Sequence, residues 1–205
     1  LLWKEYRRAL KHRNALLRQG APQQQFIPWN KVLADLGAKI HELRINYFSR
    51  WAYQFNRVLE ELTPLHCHIH YEKGWDKKNS GRDLLTVLDE HLPQDRLRQT
   101  TLYGPHRADI IFDIELAGKA KQLLSRGQQK IILIALKIAQ IQLLNQPCLM
   151  LMDDISAELD QDHLSRLLRC LATIESQFFI TTINDSILKA LPEQQAHEVF
   201  YLGDT

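Results

Sequence analysis

The sequence predicts an α/β chain. A helical arm lobe with a long antiparallel helix pair occupies residues 1–100, and a lobe built on a parallel sheet occupies residues 101–205. Apolar residues recur at helical spacing through the first sixty positions, whereas beyond residue 100 short apolar runs alternate with helical stretches. That alternation is the pattern of a parallel sheet with helices on its faces. One of the runs, Cys148-Leu149-Met150-Leu151-Met152, ends in two carboxylates, Asp153 and Asp154.

Composition sets the outer bounds. With 26 Lys and Arg against 24 Asp and Glu, the formal net charge of the 205 residues is +2, so overall charge does not point to nucleic acid. Apolar residues at 45% with only 8 Gly and 7 Pro exclude a disordered or collagen-like chain. The longest apolar segment, Ile131 to Leu144, is interrupted by Lys137, Gln140 and Gln142, which excludes a membrane span. Three cysteines, Cys67, Cys148 and Cys170, cannot all pair, and the reading is a reducing cytosol. The opening Leu-Leu-Trp-Lys-Glu does not read as a signal peptide, since charge follows at once, and without a Met there a fragment or a processed chain is expected.

The first helix is expected over Leu2–Gln19. Trp3, Tyr6, Leu10 and Leu17 share one face, while Lys4, Arg7, Arg8, Lys11, Arg13 and Arg18 occupy the other positions with Glu5 as the only acid. Gly20, Ala21 and Pro22 end it. A second, long helix starts at Pro28, a good first-turn residue, and ends before Pro64. Its apolar line runs through Trp29, Leu33, Leu36, Ile40, Leu43 and Tyr47 at coiled-coil spacing, then through Trp51 and Phe55 after a stutter. The two helices pair antiparallel. Leu65–Tyr71 reads as a strand that places His66, His68 and His70 on one face; three imidazoles could hold a metal, but no acid or cysteine completes the set, so a solvated face is expected. A helix over Arg82–His91 precedes Pro93.

In the second half, a strand is expected at Asp109–Leu116 and a turn at Gly118. A buried helix follows over Gly127–Leu144, then a strand at Cys148–Met152 and a helix at Gln161–Ile174. A strand at Gln177–Thr182, a short helix at Asp185–Leu191 and a last strand at Glu198–Leu202 complete the order.

In open parallel sheets, ligands sit at the carboxyl ends of strands. An apolar strand ending in an acid there has the form that holds Mg²⁺ on nucleotide phosphates, although many buried strands end in Asp for a turn. Two neighbours sharpen it. Leu124-Ser125-Arg126-Gly127-Gln128 directly precedes a helix, where a hydroxyl and bare N–H groups suit an anion; an ordinary Ser125 cap would also explain the serine. Ile155-Ser156-Ala157-Glu158-Leu159-Asp160 directly follows the acids.

In that order the motifs resemble the C-terminal half of an ABC-type ATPase head. Leu124–Gln128 matches the signature Leu-Ser-x-Gly-Gln, Asp153 the Walker B Asp, Asp154 the place of the catalytic Glu, and Ser156–Asp160 the D-loop. With Tyr103-Gly104-Pro105-His106-Arg107-Ala108-Asp109 added, the resemblance narrows to the RecF family of bacterial recombination mediators and covers essentially the whole chain. No Gly-x-x-x-x-Gly-Lys-Ser/Thr occurs, so the fold implied is an incomplete P-loop NTPase lobe. Thr182 stands at the switch His position and cannot act as a charged proton acceptor, and Asp154 is one methylene shorter than Glu. Both departures imply slow hydrolysis.

The resemblance implies ATP and Mg²⁺ as cofactors, both needing a P-loop lobe. Ser125, Gly127 and Gln128 would meet the γ-phosphate held by another protomer, with Asp160 in the same nucleotide-facing set. Asp153 would hold the metal, Asp154 the attacking water, and Thr182 the switch position. It further implies a cytoplasmic, ATP-dependent homodimer that clamps single-stranded and gapped or double-stranded DNA. Such a clamp helps load recombinase at gaps in recombinational repair and SOS induction, with RecR and RecO as partners. Arg7, Arg8 and Lys11 are the candidate DNA contacts, against the alternative of a solvated helix face; His106 and Arg107 either brace the signature loop or touch DNA. The rival readings are a partner-binding scaffold with an inert ATPase remnant, an SMC-like structural ATPase disfavoured by the short hairpin, and, more remotely, a metal hydrolase on the three histidines.

Overall fold

Helix α1 (Leu2–Arg18) is amphipathic, and its buried line is Tyr6, Ala9, Arg13 and Leu17. The expected apolar face is therefore met only in part. Trp3 stays 39% exposed, and Arg13, expected among the outward basic residues, is fully buried. The helix closes on Gly20, whose φ of +64° is open to glycine at little cost. There the Ala21 N–H bonds Leu16 O at 3.1 Å and the Gly20 N–H bonds Leu17 O at 3.3 Å, a Schellman closure. The computed structural model describes residues 1–77, 80–114, 124–144, 146–157, 159–183, 186–191 and 196–201.

Helix α2 (Ile27–Leu62) is one 36-residue helix with Pro28 in its first turn. Its contacts with α1 run in opposite order along the two helices: His12 stacks on Trp29 at 4.6 Å, and the Arg44 guanidinium lies over Trp3 at 4.9 Å. The pair is antiparallel, as expected. The heptad line does not hold, because Leu43 is 65% and Tyr47 46% exposed. Burial instead passes through Leu33, Gly37, Ile40, Trp51 and Phe55, with Arg44 and Phe48 turned partly inward between them. Steps of four, three and four make roughly 3.67 residues per turn, which follows a helix without left-handed supercoiling.

The chain divides into two units. One comprises Leu1–Arg50 and His68–Asp113, the other Trp51–Cys67 and Ile114–Thr205, so α2 supplies residues to both. Strand β1 (Cys67–Glu72), which lies in the first unit from His68 onward, pairs with strand β2 (Asp109–Ile114), which lies in it up to Asp113. β1 begins two residues later than expected; Cys67 and Ile69 face inward while His66, His68 and His70 are exposed. Among the described residues no group of histidines, cysteines and acids could hold a metal.

Helix α3 (Leu84–Glu90) is capped by Asp83, whose carboxylate accepts the Thr86 N–H at 2.9 Å. Helix α4 (Leu92–Arg98) was not expected: Pro93 does not close α3 but sits in the first turn of α4, where a missing N–H costs nothing. Tyr6, Ala9, Leu33, Ile40, Trp75, Leu84, Val87 and Leu88 form this unit's core. Gly37 admits the Leu84 side chain, which would stand 2.6 Å from a Cβ there.

The Arg13 guanidinium threads that core. It pairs with Asp95 at 2.6 Å, both side chains fully buried, and donates to Thr101 Oγ1 at 2.7 Å and to Asn30 Oδ1 at 2.6 Å. A buried cation persists only when paired and hydrogen-bonded in this way.

In the second unit, helix α5 (Arg126–Leu144), strand β3 (Leu149–Met152), helix α6 (Gln161–Ala172), strand β4 (Gln177–Ile180) and helix α7 (Ser186–Ala190) follow in order. β3 and β4 are parallel, from Leu149 opposite Gln177 to Met152 opposite Ile180. Ile131, Ala135 and Ile138 of α5 and Leu164, Leu167 and Leu171 of α6 are buried. The Trp51 indole N–H donates to Leu136 O at 3.0 Å.

The strand expected at Glu198–Leu202 does not form over residues 196–201. Val199, Phe200 and Tyr201 are exposed, and no strand pairs with them among the described residues, so the ladder that would define a strand is lacking. β2 ends at Ile114; residues 115 and 116, the turn at Gly118 and Leu202 lie outside the described residues. Burial pushes the Cys170 thiol up to about 12. Among the described residues no helix is long and apolar enough to cross a membrane.

Candidate functional site

Ser125 is the cap of α5, and Gln128 answers it. Gln128 N–H donates to Ser125 Oγ at 3.2 Å while Ser125 N–H donates to Gln128 Oε1 at 2.9 Å, a capping box. Gln129 N–H bonds Ser125 O at 3.0 Å. Helix geometry leaves Arg126 and Gly127 without intrahelical acceptors for their N–H groups. Because Ser125 Oγ accepts from Gln128, its own proton stays available to donate. The local chemistry thus suits an anion at a 19-residue helix's positive end.

One turn further along α5, the Lys130 ammonium donates to the backbone carbonyl of Asp154 at 2.9 Å. The start of α5 and the end of β3 therefore lie side by side. Asp153 is exposed, and its Oδ1 accepts the Thr181 hydroxyl at 2.5 Å. The same hydroxyl accepts Asp154 N–H at 2.9 Å, and Thr181 N–H bonds Met152 O at 2.9 Å. Asp154 takes φ +45°, a conformation short polar residues tolerate best, and its Oδ1 is buried without a hydrogen-bond partner among the described residues. An orphaned carboxylate oxygen beside an exposed carboxylate fits a divalent cation or its water shell.

The remaining expected positions are placed as follows. Ser156 Oγ and Thr182 Oγ1 are 2.6 Å apart, so Thr182 faces the loop after the acids. Asp160 caps α6: it accepts His163 N–H at 2.9 Å and contacts His163 Nδ1 at 2.7 Å. The backbone N–H, then the imidazole, hold its carboxyl below the usual range. Thr181 and Lys130 escaped sequence reading. Their signal was faint: a hydroxyl at the end of the strand beside the acid strand, and a lysine one turn into the helix after Ser125.

His106 acts within the first unit. Its Nε2 lies 3.0 Å from Thr101 O, a carbonyl that can only accept, so Nε2 carries the proton and Nδ1 accepts the Tyr6 hydroxyl at 2.9 Å. Both ring nitrogens are thus occupied, whereas Arg107 is exposed. Lys4, Arg7, Arg8, Lys11 and Arg18 are all exposed on α1. At about 100° per residue they fall within roughly 100° of arc. None of the five forms an ion pair among the described residues. Arg13, expected with them, is excluded by its burial.

Residues 14–202 match the family model for the RecF/RecN/SMC N terminal domain. The chain belongs to that family. The chain is 37% identical over 193 residues to the DNA replication and repair protein RecF of Acinetobacter baumannii, covering 91% of the chain and 52% of the relative. The same protein of Hydrogenovibrio crunogenus is 36% identical over 202 residues, covering 95% of the chain and 55% of the relative. The chain thus spans about half the length of the relatives it matches. The fold also matches a solved structure of the recombination mediator RecF with ATP in the RecFOR pathway, at TM-score 0.72 and 24% identity, over 90% of this chain and 52% of that one. The fold is of the ABC ATPase type, as the motifs implied.

Proposed function

We propose that this RecF-family chain supplies the signature and acid-pair half of an ATP-driven DNA clamp serving replication and recombinational repair. The observation that carries the reading is the Lys130–Asp154 contact, which sets the capped α5 N-terminus beside the acids that end β3. Ser125, Gly127 and Gln128 cover the γ-phosphate of ATP held by a P-loop on a second protomer. Backbone N–H groups and the serine hydroxyl balance charge there without covalent work. Asp153, with one carboxylate oxygen steadied by Thr181, would hold Mg²⁺, which would supply charge balance to the phosphates. Asp154 orients the attacking water, Thr182 takes the switch position through Ser156, and Asp160 fixes the following loop as the α6 cap. ATP at two such sites closes a homodimer around gapped or double-stranded DNA, and hydrolysis opens it. RecR, with RecO, is the partner set of this clamp in loading recombinase at gaps and inducing the SOS response, in the cytoplasm.

Arg7, Arg8 and Lys11 supply DNA phosphate contacts from the open basic arc of α1. Replacing all three by Glu is expected to weaken DNA binding and to reduce the slope of log K against log salt by roughly 0.9 per lost contact. Fluorescence anisotropy across a salt series reads this, and an unchanged slope rejects α1 as the DNA face. For the nucleotide, the chain alone should turn over no ATP, since no P-loop motif is in its sequence. Added to a P-loop lobe of a RecF relative, it should confer Mg²⁺-dependent turnover that Ser125→Arg abolishes. Turnover indifferent to Ser125→Arg rejects the signature role.

A further inference from the structure

A groove of about 590 Å³ runs between the flanks of α1 and α2, bordering the basic arc at Arg8. Glu5, Arg8, Ala9 and His12 line it from α1, and Trp29, Val32, Asp35 and Leu36 from α2. Each set follows helical neighbour spacing, so the groove is framed by one continuous ridge from each helix. Along α1 the lining runs from Glu5 to His12, roughly two helical turns or about 10 Å, with Ala9, Trp29, Val32 and Leu36 as its apolar part. Val32 is 41% exposed, and Trp29, stacked on His12, is only partly buried.

The charge on its rim is distinctive. Glu5 is the only acid in α1, and it lies here rather than on the basic arc. Asp35 is contributed from the opposite helix. Neither carboxylate forms an ion pair among the described residues, and counted with Arg8 they leave the lining one negative charge. A nucleic-acid backbone would be repelled by the two carboxylates. A small apolar ligand would leave them unused.

We infer that this groove is a docking site for a basic amphipathic helix of a protein partner. Apolar side chains at i and i+4 of the incoming helix enter over Ala9, Val32 and Leu36. Trp29 provides the broad aromatic wall that anchors such contacts. A Lys or Arg on the flank of that helix meets Glu5 and Asp35. This is the helix-in-groove mode, with two-turn complementarity and opposite charge at the rim. Lys4, Arg7, Lys11 and Arg18 do not line the groove, so DNA and the protein partner would occupy adjoining sides of α1 that meet at Arg8. The inference does not depend on the nucleotide reading.

The probe is a fluorescein-labelled helical peptide of about four turns with one leucine face flanked by lysines, compared with the same peptide carrying glutamates. Fluorescence anisotropy with the full chain is expected to show at least about tenfold preference for the lysine peptide. The double variant Glu5→Lys/Asp35→Lys, confined to exposed positions, should reverse that order. The variant Arg7→Glu/Lys11→Glu should keep the peptide preference while weakening DNA, which separates this inference from the DNA reading. Equal binding of the two peptides, binding of neither, or an order unchanged by the charge reversal overturns it.

Discussion

The Lys130 ammonium sits 2.9 Å from the Asp154 backbone carbonyl and so ties the first turns of α5 to the end of β3. A charged donor to a partly buried carbonyl is worth more than a neutral one, and its loss leaves the carbonyl at a backbone already held at φ +45°. Lys130→Met is therefore expected to lower the unfolding free energy by about 1–2 kcal/mol. Urea titration would show the midpoint shift. An unmoved midpoint would mean that the strut contributes nothing to holding the two half-sites together.

The Arg13–Asp95 pair invites a different experiment. Both side chains are fully buried at 2.6 Å, and the same guanidinium satisfies Thr101 and Asn30. Removing one partner leaves an uncompensated charge in the core. Arg13→Met or Asp95→Asn is expected to cost about 3–5 kcal/mol. The double variant should cost clearly less than the sum of the two, because the second change removes the orphan left by the first. Additive losses in chemical denaturation would show that the two side chains are not coupled.

Acid should loosen the first unit through His106. Burial, with Arg107 and Arg13 adding to it, holds its imidazolium pKa below the usual histidine value, against the Thr101 carbonyl that favours the charged form. His41 is lowered as well, by burial and then by Lys73. The unfolded chain then binds protons more readily than the folded one, so the contribution is present above about pH 6.5 and is lost as pH falls below it. Unfolding midpoints measured from pH 7 down to pH 5 should decline, and His106→Gln should decline less. Equal declines in the two proteins would remove His106 as the cause.

Much of the site was legible because its chemistry is local. Ser125 and Gln128 sit three apart at a helix start, and a capping box needs no distant partner. Asp153 and Asp154 follow an apolar run whose strand character is written in its own composition. α4 was hidden because Pro93 both ends helices and begins them, and the choice depends on what Leu92 finds to pack against. Leu43 and Tyr47 fit a heptad line as well as Leu33 and Ile40 did. Only the long helix's actual course decides which of them is buried.

The sequence by itself determined most of the order of helices and strands, α4 and the expected last strand excepted, together with the antiparallel sense of the first two helices and the family. All three rest on short-range periodicity and contiguous motifs. Tertiary structure alone decided that Arg13 is a buried ion-pair partner rather than a surface cation, that Thr181 and Lys130 hold the acid pair, and that Glu5 faces a groove instead of the basic arc. Those assignments depend on residues far apart in the chain, such as Asp95 or Asp35, being brought within a few ångströms. No local pattern encodes such a distance.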